Sequence, residues 1–328
     1  METKYGFTRL SRDEFSEWIR NQRIGRTVLT IMQHHTFLPD YSAFRGDNHF
    51  ALQKSMRDYH VNHNGWSDLG QHFTTFPDGS IVTGRSLELS PACIFGNNAN
   101  SICIENLGNF DINGDNMSDI HRDTIIRLTA ELCRKFSITP GINSILYHHW
   151  FNLETGARNN GTGGNKSCPG SAFFGGNKPD DCLASFIPPV INALNNMGTV
   201  TNAPEVMQFA AVTASRLSVR TGPGATFSKA SDRESATFGS VLRVYGMENG
   251  WYKISSSKDH WVFARYTRDV KRGVVTASML NARSGPDLSY TIVGSLVNGQ
   301  EVFIENESGN WGKILNQNKW ISMDYLDF

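Results

Sequence analysis

Short apolar runs of strand length recur in the first half of the chain and are followed by polar residues. Residues 27–32, 101–105 and 144–147 are rich in β-branched and apolar side chains, which favours strands. His34-His35 comes shortly after the first run, and His148-His149 comes directly after the third. The pattern predicts strands that carry histidines near their ends.

Apolar residues at helical spacing separate these runs. Ser11 and Glu14 have the spacing of a capping box and predict a leading helix, and residues 50–60 predict a second. A third helix is predicted from Ser118 until Pro140, which cannot continue a helix. Strands and helices that alternate in this way predict an α/β domain.

A tight turn adds antiparallel pairing to this domain. Asp78-Gly79 lies between residues 70–76 and 80–84, and an Asp-Gly pair between strand-like runs favours a hairpin. The fold class predicted for the N-terminal part is therefore α/β, with a mixed β-sheet flanked by helices.

The residue pattern of the sequence changes after Asn195. A linker-like segment is followed by short strand patterns separated by glycines, and residues 212–223 recur as residues 275–286. Such a repeat predicts two small all-β barrels. We predict an N-terminal domain at residues 1–195, a linker at 196–209, and the two barrels at 210–270 and 271–328.

Charge and hydropathy narrow the possible partners. The chain has 328 residues, and 31 Lys and Arg balance 31 Asp and Glu. Since there is no basic excess, we expect no nucleic-acid partner. Residues 1–10 lack a signal-peptide core, and no run of about 18 apolar residues predicts a membrane-spanning helix. We expect a monomer without membrane insertion.

Five cysteines occur at irregular spacing, an odd number that argues against a disulfide framework. Cys93, Cys103, Cys133 and Cys182 lie among apolar residues and are interpreted as ordinary core positions. Cys168 instead precedes Pro-Gly after a Gly-rich loop.

A catalytic zinc site uses three protein ligands drawn from His, Cys and carboxylates. His34, His148 and Cys168 could supply such a set, although their wide spacing alone does not establish one.

Ordered motifs make this region resemble the type 2 N-acetylmuramoyl-L-alanine amidases, a family that includes amidase-type phage lysozymes and peptidoglycan recognition proteins. The motifs are His34-His35-Thr36, residues 65–73 (GWSDLGQHF), 77–79 (PDG), 84–85 (GR), 101–105 (SICIE) and 166–170 (KSCPG). They span roughly residues 26–174, and ordered motifs over such a length are specific. The resemblance implies a peptidoglycan-recognition-like amidase fold, one Zn²⁺ ion and bacterial peptidoglycan as the partner.

Carried over by position, the resemblance places the zinc ligands on His34, His148 and Cys168, with His35 and His149 as register alternatives. It places the catalytic acid or base on Glu105 and a transition-state-stabilising lysine on Lys166. The implied reaction is zinc-dependent hydrolysis of the amide bond between N-acetylmuramic acid and L-alanine, of the endolysin or autolysin type. Such an enzyme would reach the cell wall at phage lysis or by another export route.

One position departs from the family pattern, because phage-type members have a tyrosine where this chain has Gln71. Neighbouring strand residues face opposite sides, so either Gln71 or His72 faces the cleft. Trp66, His35 and His149 are further predicted substrate-binding residues.

Two alternatives remain beside the enzyme. The departure at Gln71 suits a recognition protein that binds peptidoglycan without cleaving it, whereas the retained ligand set favours the enzyme. A purely structural zinc is ranked last, because the sequence has no closely spaced ligand pair such as Cys-x-x-Cys.

The two C-terminal repeats resemble bacterial SH3-like domains, through residues 217–223 (LSVRTGP) and the looser 280–286 (LNARSGP). The resemblance implies cell-wall binding. Trp251, Trp261, Trp311 and Trp320 are candidate binding aromatics. Core packing is predicted for Trp261 and Trp320, because small barrels need large side chains in their cores.

Overall fold

A computed structural model describes residues 1–197 and 205–328. These residues form two compact units, the first from residues 1–22 and 28–197 and the second from residues 23–27 and 205–328. No helix in the described ranges is long and apolar enough to span a membrane.

The first unit contains seven strands and five helices. The strands are β1 Glu2–Lys4, β2 Phe7–Leu10, β3 Thr30–His35, β4 Phe73–Thr75, β5 Ile81–Thr83, β6 Ser101–Asn106 and β7 Ile145–Tyr147. The helices are α1 Arg12–Asn21, α2 His49–Asn62, α3 Asp119–Phe136, α4 Pro179–Ser185 and α5 Ile187–Asn196.

All seven strands belong to one mixed sheet in the order β1-β2-β5-β4-β6-β3-β7. Strands β4, β6, β3 and β7 run parallel, whereas β1, β2 and β5 pair antiparallel with their neighbours. Helix α3 packs against both α1 and α5, and α2 packs against β2 and β5. The predicted mixed sheet flanked by helices is confirmed.

Local signals explain where the helices begin. The Ser11 hydroxyl accepts a hydrogen bond from the Glu14 amide, and the Glu14 carboxylate accepts one from the Ser11 amide, so the capping box is formed. Ser118 caps α3 by accepting from the His121 amide. Each such cap stabilises its helix by about 1 kcal/mol, because it satisfies a first-turn amide.

Strand β3 begins and ends three residues later than the predicted run at residues 27–32. It continues through Gln33, His34 and His35, all of which are buried. Polar residues are tolerated there because β3 lies between β6 and β7 and its side chains find internal partners: Gln33 Nε2 donates to Thr129 Oγ1 at 2.9 Å. The histidines therefore lie inside the strand.

The second unit is all-β among its described residues. Its strands are β8 Gln208–Val212, β9 Arg216–Leu217, β10 Ala236–Thr237, β11 Val241–Val244, β12 Gly246–Glu248, β13 Trp251–Lys253, β14 Trp261–Phe263, β15 Thr267–Val275, β16 Met279–Arg283, β17 Ile292–Val297, β18 Glu301–Ser308, β19 Trp311–Ile314, β20 Trp320–Ser322 and β21 Leu326–Asp327.

One long strand serves both halves of this unit. Residues 267–270 of β15 pair with β8, and residues 271–274 pair with β18. Each half has its own cluster of buried apolar residues. One cluster is drawn from residues between Ala210 and Val262, and the other from residues between Val275 and Ile321. The architecture agrees with two SH3-like barrels that share a strand.

The predicted domain boundaries stay predictions. The pairing change between Val270 and Lys271 falls at the predicted junction of the barrels. Of the predicted linker 196–209, residues 198–204 lie outside the described residues, and Gln208 and Phe209 already belong to β8.

The tryptophans of the barrels correct one interpretation. Trp261 and Trp320 are only half-buried, whereas their neighbours Val262 and Ile321 lie in the cores. Trp251 is the more deeply buried aromatic, with 9% of its surface exposed. Because strand side chains alternate between faces, a core position at Val262 turns Trp261 to the other face.

Candidate metal centre

Three donor residues that are far apart in sequence meet at the ends of the parallel strands. His34 lies in β3, His148 follows β7 directly, and Cys168 lies in the loop before α4. Parallel pairing of Gln33 with Tyr147 brings His148 beside His34. One ligand atom from each of the three residues lies within 4.8 Å of the other two, and all three residues are buried.

The environment of these donors suits a metal ion. Within residues 1–197 and 205–328, Nε2 of His34 is buried and has no hydrogen-bond partner. Burial lowers the pKa of His34 well below its usual range and that of His148 to about 4. Both imidazoles are therefore neutral at physiological pH, which is the form that binds metals.

Cys168 completes a donor set that zinc prefers. Burial raises the pKa of its thiol well above the usual range, and the charge of Glu105 adds to this effect. A bound dication is the group that would favour the thiolate at such a site. Two imidazoles and one thiolate would give the three protein ligands that catalytic zinc sites use.

The loop that carries Cys168 is held by backbone contacts. The His35 amide donates to Cys168 Sγ at 3.4 Å, and the His149 amide donates to the Cys168 carbonyl at 2.7 Å. Gly170 has φ of +123°, and a Cβ there would come within 2.3 Å of the Phe110 carbonyl oxygen. Only glycine fits that approach without strain.

Glu105 stands next to the donor cluster. It pairs with His34 across the parallel β3–β6 ladder. Although part of its side chain faces the cavity, burial raises its pKa to about 8, and the charge of Lys166 acts in the opposite direction. Glu105 is therefore a stronger base than an ordinary carboxylate whenever it is ionised.

A cavity of about 870 Å³ opens above these residues. Its lining includes the three donors and, of the other predicted site residues, Glu105, Lys166, Gln71, His35 and Trp66. His72 and His149 are not part of the lining.

The structure decides between Gln71 and His72. His72 is turned into the core, where Nδ1 accepts from the Cys103 amide at 3.0 Å and Nε2 lies 3.0 Å from the Leu89 carbonyl oxygen. Gln71 faces the cavity and is 1% exposed. Its Nε2 donates to Thr74 Oγ1 at 3.1 Å, while Oε1 has no partner among the residues that the structure describes.

The register alternatives lie outside the donor group. His35 Nδ1 accepts from the Phe110 amide at 3.1 Å, and burial lowers its pKa to about 4. His149 Nδ1 lies 2.6 Å from the Lys166 carbonyl oxygen. His149 therefore helps to hold the loop that carries Lys166 and Cys168.

A buried hydrogen-bond network that the sequence did not predict supports the strand of His34. Asn106 Nδ2 donates to the His34 carbonyl at 2.7 Å, and its Oδ1 accepts from Thr75 Oγ1 at 2.7 Å. Thr75 Oγ1 also contacts His121 Nε2, and Tyr41 donates to His121 Nδ1, each at 2.7 Å. His121 thus connects α3 to the strand that carries His34.

Two cysteines also depart from the sequence interpretation. Cys93 and Cys103 form a disulfide, and Cys93 lines the cavity. Interpreting both as ordinary core thiols was wrong, because the loop before β6 folds back onto that strand. Cys103 lies two residues before Glu105 and hence on the same face of β6, but no local pattern in the sequence shows that Cys93 returns to it.

Comparisons with known proteins match two parts of the chain to family models. Residues 24–171 match the family model described as N-acetylmuramoyl-L-alanine amidase, and residues 278–327 match the one described as bacterial SH3 domain. A human N-acetylmuramoyl-L-alanine amidase is 30% identical over 77 residues, which are 24% of this chain and 13% of the human protein.

Solved structures give weaker likenesses over similar spans. Bumblebee PGRP-SA is 26% identical with a TM-score of 0.31, over 34% of this chain and 65% of the bumblebee chain. The endolysin LysCS of Clostridium intestinale is 25% identical with a TM-score of 0.30, over 35% of this chain and 67% of that chain. This chain spans less than two thirds of the human and bumblebee relatives.

Proposed function

We propose that this chain, in which residues 24–171 match the N-acetylmuramoyl-L-alanine amidase model and residues 278–327 match the bacterial SH3 model, hydrolyses the amide bond between N-acetylmuramic acid and L-alanine in bacterial peptidoglycan with one zinc ion. The observation that carries the proposal is the convergence of His34, His148 and Cys168 within 4.8 Å at the base of a cavity.

Zinc would be held by these three residues. A bound Zn²⁺ supplies a Lewis acid that polarises the scissile carbonyl and lowers the pKa of water toward about 7. The unpartnered His34 Nε2 and the neutral imidazoles fit this role, because an empty coordination sphere would leave buried donor atoms unsatisfied.

Glu105 takes the proton of the attacking water. Its raised pKa makes its carboxylate an effective base, and it lies beside His34, one of the residues that would hold the zinc. After attack, the same carboxyl group can return the proton to the departing amine of L-alanine.

Lys166 stabilises the charge that develops on the carbonyl oxygen. It lines the cavity two residues before Cys168, and its ammonium group acts on Glu105, His34 and His148 alike. A cation fixed near the reacting carbonyl lowers the barrier, because the negative charge appears only in the transition state.

The C-terminal barrels would keep the enzyme on its insoluble substrate. Peptidoglycan is the proposed partner of both parts of the chain, which raises the effective concentration of the amidase domain at the wall. That the protein is a monomer without a nucleic-acid partner stays a prediction.

Peptidoglycan recognition without cleavage is the second candidate. Gln71, at the position where phage-type amidases have tyrosine, is the observation that favours it. The complete donor set and the adjacent Glu105 favour the enzyme.

In the test, protein of measured zinc content is incubated with purified peptidoglycan. We expect new amino termini of L-alanine without new reducing sugar ends, and we expect a chelator to abolish their release and added zinc to restore it. Bound zinc with binding to peptidoglycan but no release from several chemotypes would replace the amidase by the recognition protein.

A further inference from the structure

The Cys93–Cys103 disulfide lies against the metal centre. Both sulfur atoms and a ring nitrogen of His34 lie within 4.8 Å of one another. His34 therefore belongs to two groups of possible ligands: one with His148 and Cys168, and one with Cys93 and Cys103.

Both cysteines are held in place from their own backbones. The Cys103 amide donates to His72 Nδ1 at 3.0 Å, and the Cys93 amide donates to Asn98 Oδ1 at 2.9 Å. These contacts do not depend on the S–S bond. The two sulfurs would consequently stay near His34 after the bond is broken.

Cys93 and Cys103 differ in solvent accessibility. Cys103 is fully buried in β6, whereas Cys93 is half-buried and lines the cavity. Attack by an external thiolate needs access to only one sulfur of a disulfide. The cavity gives that access at Cys93.

We propose that Cys93 and Cys103 are a redox-controlled pair of metal ligands, which on reduction bind the ion together with His34 and withdraw it from His148 and Cys168. The proposal rests on the proposed function in one respect, namely that His34 is a ligand of the catalytic ion. Two thiolates and one imidazole are donors that zinc prefers, so the reduced set competes with the catalytic set.

The chemistry balances with a dithiol as the reductant. The dithiol attacks Cys93 Sγ, the Cys93–Cys103 bond breaks, and a second attack within the mixed disulfide releases Cys93 and oxidises the dithiol to its own disulfide. Two electrons pass to the cysteines, and each thiol keeps one proton. Binding of the ion then releases both protons to solvent.

Withdrawal of the ion would reduce amide hydrolysis. The His34 imidazole cannot bind the ion in both ligand groups at once. Glu105 and Lys166 are arranged around the group of His34, His148 and Cys168. We therefore expect the oxidised protein to be the active form and the reduced protein to keep its zinc while losing turnover.

Wild-type protein gives the first test and avoids any effect of mutation on folding. Zinc-loaded protein is measured by X-ray absorption before and after reduction with a dithiol that is then removed anaerobically. We expect the number of sulfur ligands to rise from one to at least two. One sulfur ligand in both states overturns the proposal, whatever the activity of the protein.

Cobalt binding to variants gives the second test. Cys168→Ala removes the catalytic thiolate, so Co²⁺ should give a thiolate charge-transfer band with this variant only after reduction. The matched control, Cys168→Ala with Cys93→Ser and Cys103→Ser, should give no band in either state. A reduced Cys168→Ala protein without the band overturns the inference. The proposed amidase activity is tested separately, by amine release from peptidoglycan with oxidised wild-type protein.

Discussion

At the scale of single residues, Glu105 and His34 are adjacent across one parallel ladder and have opposite protonation tendencies. Burial raises the pKa of Glu105 to about 8 and lowers that of His34 well below its usual range. Burial therefore makes Glu105 a stronger base and keeps the neighbouring His34 neutral. Proton transfer and metal binding are thus assigned to different residues.

Glu105→Gln should keep the metal and lose turnover. The amide has nearly the shape of the carboxyl group but cannot accept the proton of the attacking water, and such a loss costs roughly 10²–10⁴-fold in rate. Zinc content and the rate of amine release measure the two effects separately. Undiminished turnover in a variant with full zinc would show that another group is the base.

Cys168→Ala in oxidised protein should remove both zinc and activity. The thiolate is one of three ligands, and the two imidazoles alone form an incomplete site. Cys133→Ala is the matched control, because Cys133 is also a buried free thiol but lies in α3 outside the donor group. Equal zinc content in the two variants would contradict the ligand assignment.

Gln71→Met should raise KM for a soluble muropeptide by about 5-fold and leave zinc content unchanged. The buried Oε1 faces the cavity without a partner in the described part of the chain, so an N–H group of the substrate can satisfy it, a contact of about 1 kcal/mol. Gln53→Met is the control, since Gln53 also has a buried Oε1 but does not line the cavity. Similar KM changes in both variants would refute a substrate contact.

At the scale of elements, α3 supports β3 through His121. Its imidazole accepts from Tyr41 at Nδ1 and contacts Thr75 at Nε2, and Thr75 continues to Asn106 and the His34 carbonyl. The ring must be neutral to accept from Tyr41. Burial lowers its pKa to about 3, in agreement with that role.

The stability of the metal-free protein should therefore depend on pH through His121. The folded pKa of about 3 lies below the unfolded value of 6.5, so the stabilisation is complete above pH 6.5 and is lost as the pH falls toward 3. Removing this one proton site should reduce the slope of the unfolding free energy by up to about 1.4 kcal/mol per pH unit.

Urea unfolding of the wild type and His121→Gln between pH 3 and 7 measures this slope. His35 and His148 titrate with shifts in the same direction, but both proteins share them, so the difference in slope isolates His121. Parallel curves that differ only in height would mean that His121 contributes contacts without a shifted pKa.

Sequence predicted these elements where local chemistry dominates. The capping box of α1, the start of α3 at Ser118 and the hairpin at Asp78-Gly79 depend on neighbouring residues and are confirmed. The N-terminal hairpin β1–β2 was missed because its outer strand is fully exposed and has no apolar alternation. The end of β3 was misplaced because its polar half is stabilised by tertiary partners.

The prediction of the candidate site was limited in the same way, by contacts that local sequence does not determine. His34, His148 and Cys168, which motif context selected, lie close together in the structure, whereas alternation alone could not assign Gln71 and His72 to the cavity or the core. The Cys93–Cys103 contact depends on how a loop returns to β6, which no local pattern specifies.

At the scale of the whole molecule, the second unit includes a short segment that comes early in the chain. Within that unit, the Arg243 amide donates to Thr27 Oγ1 at 3.0 Å, and the Ser257 hydroxyl donates to the Ile24 carbonyl at 3.3 Å. Residues 23–27 precede β3, which carries His34. Removing the barrels would therefore lower thermal stability as well as wall binding.

A fragment of residues 1–197 should separate these two effects. Below its lower melting temperature, it should keep its zinc and hydrolyse a soluble muropeptide nearly as fast as the full chain. On insoluble peptidoglycan at low enzyme concentration, it should be at least about 10-fold slower, because linked binding modules can raise overall affinity by roughly 10²–10⁴-fold over either module alone. An equal loss on both substrates would mean that truncation damaged the amidase unit, and no loss on the insoluble wall would remove the tethering role of the barrels.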